Sequence, residues 1–166
     1  MKISSAFAAG AALFLASGTY AVAQEEAASE GPNVYTFTGT IEGTTVVGGV
    51  GAEGEETIGA SWTENFVITS SGNATEVTAN CVGMDQPSNS LFDRHFACSA
   101  ADGEGQAGGM VFGCNNENEE KSEMSCVGYF QGREGGVAGH VSLLTAYYWF
   151  TPEGTGRVQG SGHWIR

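Results

Sequence analysis

The stretch MVFGCNNENEEKSEMSCVGYF (110–130) decides the fold. Two apolar runs flank an acidic, Asn-rich segment that has too little apolar character to be buried. In the first run Met110, Phe112 and Cys114 alternate with other residues; in the second Met124, Cys126 and Phe130 share one parity. Period two is the signature of a half-buried strand, since successive side chains point to opposite faces. Cys114 and Cys126 are equidistant from Glu120 in the acidic segment, so an antiparallel hairpin turning there sets the two sulfurs opposite each other.

The same grammar extends outward. In CVGMDQPSNSLFDRHFAC (81–98) the turn formers Asp, Pro, Ser and Asn occupy the middle, and Cys81 and Cys98 are equidistant from residues 89–90. Further alternating runs lie at 33–43, 58–70, 74–82, 90–100, 108–115, 122–131, 137–150 and 156–166, with a weaker one at 43–50. No amphipathic helix is visible in this part, and the 26 glycines disfavour one. Eight consecutive strands joined by Gly-rich or acidic turns predict an all-β domain. A single antiparallel barrel of about eight strands removes exposed strand edges, and a two-sheet sandwich is the alternative. Hairpin symmetry selects Cys81–Cys98 and Cys114–Cys126 as disulfides; Cys98–Cys114, which forces Cys81–Cys126, is the competing arrangement.

The first 23 residues read as a secretory signal. Lys2 supplies the positive end, Ala6–Ala16 the apolar run, and Ala21-Val22-Ala23 the small-residue cleavage site. Residues 24–32 (QEEAASEGP) form an acidic leader expected to be disordered, and 33–166 the barrel domain. The expected location is therefore periplasmic or secreted, where an even number of cysteines pairs as disulfides. The net charge is −13, from 6 Lys+Arg against 19 Asp+Glu, and losing Lys2 with the signal takes it to −14. Such a chain is not expected to bind nucleic acid or an anionic membrane surface, both of which require cations to offset phosphate. The charge reads first as a solvated coat.

The C-terminal segment PEGTGRVQGSGHWIR carries GTG, then GSG, then an aromatic residue, and the domain opens with YTFTGTIEG. These two ends resemble the corresponding parts of allene-oxide-cyclase and dirigent-type barrels, exported bacterial members among them. The resemblance implies an eight-stranded barrel around a small apolar pocket. It carries over no catalytic residue, because no matching motif is present, and the four cysteines depart from it.

Face counting nominates the polar residues of an interior. Arg94 shares a face with Phe92 and Phe96, and Glu64 lies between Trp62 and Phe66, so Glu64 is the expected partner of a buried guanidinium that needs one. Arg94, Glu64, Trp62 and an inward tyrosine, Tyr148, are the ligand-pocket candidates. Asp93 and His95 fall on the opposite face, and no G-x-S-x-G elbow accompanies Ser88 or Ser90, so a Ser-His-Asp triad is not expected. No cofactor or metal site is expected either. The cysteine gaps lack zinc spacing, His95, His140 and His163 lie on separate strands, and the acidic loops lack the residue order of a Ca²⁺ loop. In the run Tyr147-Tyr148-Trp149-Phe150, alternate rings must leave the core. The leading expectation is a non-catalytic binding protein for a small apolar or aromatic ligand or a surface partner. A cofactor-free isomerase or cyclase and a structural envelope protein are the alternatives.

Overall fold

A computed structural model describes residues 33–50 and 56–165. The expected signal at 1–23, the expected leader at 24–32 and residues 51–55 and 166 lie outside them. The described chain is a closed antiparallel barrel in which each strand pairs with the next and the last returns to the first. The strands are β1 (Val34–Val50), β2 (Glu56–Ser70), β3 (Asn73–Asp85), β4 (Arg94–Asp102), β5 (Ala107–Asn116), β6 (Glu123–Glu134), β7 (Val141–Phe150) and β8 (Gly156–Trp164). A short 3₁₀ turn at Gly135–Val137 takes up Val137, the first residue of the strand expected at 137–150, and β7 itself begins at Val141.

The weak strand expected at 43–50 is a continuation of β1. A register shift between Glu42 and Thr45 bends it, at Gly43 with φ of 64°. An L side chain resists that conformation, so glycine permits the bulge. Beyond it β1 leaves β8, whose pairing ends at Ile41, and continues on β2 as an arm. Gly59–Ser61 of β2 still pair with β3, so only the tip, Gly48–Val50 with Glu56–Ile58, is two-stranded. Ser71 and Gly72, with φ of 49° and 81°, close the β2–β3 hairpin in the mirror-image turn that suits strand twist.

Inward faces follow the period-two reading. Tyr35, Phe37, Ile41, Trp62, Phe66, Phe96, Met110, Phe112, Met124 and all four cysteines are buried. Both disulfides form between direct register partners, Cys81–Cys98 joining β3 to β4 and Cys114–Cys126 joining β5 to β6. Phe92 departs from the expectation. Residues 91–93 are a bend before β4, and the Phe92 ring lies over Gly113 and 5.7 Å from His95, outside the barrel. The last backbone bond of the hairpin runs from the Gln86 N–H to the Asp93 carbonyl, and the chain bends over 91–93, so the face count stops at Arg94.

The inward glycines have a common purpose. Tyr35 is the register partner of Gly162, Phe37 of Gly160, Phe66 of Gly39, Phe96 of Gly83 and Phe112 of Gly128. A Cβ built at any of these glycines would strike its aromatic partner. Each bulky inward residue therefore packs on the bare backbone of its neighbour, which lets a narrow barrel hold this many rings. The GSG of the last strand is the slot for Tyr35 and Phe37. Gly162→Ala is expected to cost about 1–3 kcal/mol by overpacking, read as a lowered thermal midpoint; an unchanged midpoint would show that the ring has room to move.

Candidate functional site

A fully buried layer crosses the middle of the barrel and separates two end cavities. It contains Ile41, Glu64, Ala79, Phe112, Tyr148, Val158 and both disulfides. Glu64, 2% exposed, is the carboxylic acid in it. Trp62 Nε1 donates to Glu64 Oε1 at 2.7 Å, and the Tyr148 hydroxyl donates to the same carboxyl group. Burial raises the Glu64 pKa above the ordinary 4.5, although both donors act in the opposite direction. Burial also holds the Tyr148 phenol well above its usual range, with the neighbouring Glu64 charge adding to the effect. Both groups thus favour their neutral forms, the pattern expected of a polar cluster inside an apolar layer.

Arg94 is inward but is not the partner of Glu64. It stands at the mouth of the barrel, where its Nε donates to Asp85 Oδ1 at 2.7 Å, and the two side chains are 20% and 19% exposed. Asp85 and Arg94 are register partners on the hairpin closed by Cys81–Cys98. The spacing held that signal, because Asp85 and Arg94 are equidistant from the same turn centre as the two cysteines. Of the four candidates, Arg94 and Trp62 line the cavity at this end, while Glu64 and Tyr148 lie beneath it and line neither cavity.

The opposite cavity, about 200 Å³, was not located by the sequence. Its walls are mainly apolar, with Tyr35, Phe37, Phe66, Met110, Phe130 and Trp164 among them. Polar groups at its edge are already engaged. The Tyr35 hydroxyl donates to Ser142 Oγ at 2.9 Å, and burial raises its pKa against that bond. Asp102 accepts the backbone N–H groups of Glu104 and Gln106 and the Gln106 side chain, which pins the β4–β5 turn at the rim and lowers the Asp102 pKa.

Other arrangements considered from the sequence are not assembled. The histidines are dispersed: His95 sits by Phe92, His140 by Trp164, and His163 is exposed on β8. Among the described residues one trio of metal-type donor atoms falls within 4.8 Å, Glu64 with Cys81 and Cys98, but its two sulfurs are bonded to each other. A disulfide is not the thiolate that ligates metals. Tyr148 and Phe150 point inward and Tyr147 and Trp149 outward, where Arg157 covers the Trp149 ring at 4.4 Å. Compared with known proteins, the chain matches no family model, no curated protein and no solved structure.

Proposed function

We propose that this barrel is an exported, non-catalytic binding protein for a small apolar ligand, held in the cavity at the Trp164 end. The observation that carries the reading is the cavity itself, about 200 Å³ with aromatic and aliphatic walls. An apolar cavity of ~150 Å³ accommodates benzene, and drug-sized sites begin near ~300 Å³. The ligand is accordingly of monocyclic or short-chain size. The two disulfides fit an oxidising compartment, and the signal-like residues 1–23 point the same way. The end-segment similarity to allene-oxide-cyclase and dirigent-type barrels supports a small-molecule pocket. A cyclase or isomerase reading is weaker, because of the polar groups it would use, Arg94, Glu64 and Tyr148, only Arg94 borders a cavity, and the buried acid and phenol are hydrogen-bonded to each other beneath it. A purely structural barrel would have its ends filled.

The test uses toluene as the probe and NMR chemical-shift changes at Trp164 as the readout. Saturable binding with a Kd of about 0.1–1 mM is expected for a probe of this size. Ala100 lines the cavity, so Ala100→Leu should fill it and weaken toluene binding at least about tenfold, with the fold intact. Unchanged toluene affinity in that variant would remove the ligand from this cavity.

A further inference from the structure

The opposite end of the barrel holds a second cavity, about 280 Å³, that the reading above does not use. Its lining includes Trp62, Phe96 and Phe150, and the Trp62 ring meets the other two edge-on at 4.8 and 6.1 Å. The β1–β2 arm adds Val46 and Ile58, which remain 62% and 37% exposed. The polar side is cationic. Arg94 and Lys121 line this cavity, two of the four described Lys and Arg residues on a strongly acidic chain. Asp85 is the one acid in the lining, and it engages Arg94 only through Nε. Arg94 Nη1 is left against the Met124 sulfur at 3.5 Å, a weak acceptor, and no oxygen among the described residues takes the Nη donors. Thr44 belongs to the same lining, but its Oγ1 is closed off from the cavity, beside Gly154.

We infer that this cavity binds a small aromatic or arylalkyl carboxylate. Its ring would rest among Trp62, Phe96 and Phe150, with its carboxylate at the Arg94 guanidinium. A guanidinium presents paired N–H groups that match two carboxylate oxygens. The volume suits one ring with a short arm. Asp85 disfavours a dianion such as a phosphate ester, because part of the Arg94 charge is already neutralised. This site is separate from the toluene cavity, so either can fail without the other.

Isothermal titration of the disulfide-intact protein tests the inference, with phenylacetate, 2-phenylethanol and phenethylamine as probes. Phenylacetate is expected to saturate, with the alcohol about tenfold weaker and the cationic amine weaker still, since a charge-assisted pair is worth about that factor. Added salt should weaken phenylacetate and leave the alcohol unchanged. Arg94→Gln should abolish the preference for the acid over the alcohol. Ala100→Leu, at the other end, should have no effect on phenylacetate. Equal affinities for phenylacetate and 2-phenylethanol would overturn the inference. So would the absence of saturation below about 10 mM, or loss of phenylacetate binding in Ala100→Leu.

Discussion

Reduction of both disulfides is expected to lower the urea midpoint of unfolding by about 3 M. Each bridge closes a short hairpin, with sequence separations of 17 and 12. In the loop-entropy account each such closure contributes about 3 kcal/mol by restricting the unfolded chain. Two together amount to about 6 kcal/mol, against a total of about 5–15 kcal/mol for a typical domain. Division by a urea slope of about 2 kcal/mol/M gives the expected shift. The bridges are independent in sequence and join different strand pairs, so the double variants Cys81→Ala/Cys98→Ala and Cys114→Ala/Cys126→Ala should each lose about half. Alanine is the right replacement, since serine would bury an unpaired hydroxyl. A shift below about 1 M on full reduction would show that the hairpins persist in the unfolded chain and that the entropy argument does not apply.

Glu64→Ala is expected to destabilise the barrel by about 3–5 kcal/mol, whereas Glu64→Gln should stay within about 1 kcal/mol of the parent at pH 5. The alanine variant leaves a cavity in a fully buried layer and strips the acceptor from the Trp62 indole and the Tyr148 hydroxyl. Glutamine keeps the volume, accepts from Trp62 and can donate to the phenol oxygen. The two variants also separate in pH dependence. The folded-state pKa of Glu64 is raised above its ordinary 4.5, so the folded protein holds this proton more tightly than the unfolded chain does. The stability associated with the protonated carboxyl is fully present below the unfolded value. It declines as pH rises from there through the folded value. Glu64→Gln should remove that decline and overtake the parent on the alkaline side. Urea midpoints at several pH values read the difference; parallel pH profiles would mean that folding does not raise the Glu64 pKa.

The strand count, the inward faces and the disulfide pairing were legible in the sequence because each is a consequence of local periodicity or hairpin symmetry. Glu64, between Trp62 and Phe66, was correctly read as inward for the same reason. Its partnership with Arg94 was not correct, because position along the barrel axis depends on strand stagger, which period two does not report. Arg94 lies at the rim beside Asp85, while Glu64 is in the central layer with Trp62 and Tyr148. Phe92 was placed inside by extending the alternation into a segment that had already left the sheet. The cavities were illegible for a related reason: a void is set by which rings from different strands share a level. The glycine positions hold a finer cue. The glycines weigh against helix, but they also mark, strand by strand, where the neighbouring ring lies, as Gly160 and Gly162 do for Phe37 and Tyr35.

The placement of the sulfur bridges makes the barrel mechanically uneven. Both lie within β3 to β6, and none crosses the seam where β8 meets β1. That half of the wall behaves as a riveted shell, while β7, β8, β1 and β2 form its hinged side, latched by ladder hydrogen bonds and by rings seated on glycines. Thermal breathing is thereby directed to one side, and amide exchange should proceed sooner in β8 and β1 than in β4 and β5 at comparable depth. The apolar cavity at the Trp164 end draws Tyr35, Phe37, Leu144 and Trp164 from the hinged side. A ligand of the proposed kind would enter and leave through that yielding side, and its residence time would follow the frequency with which the seam loosens.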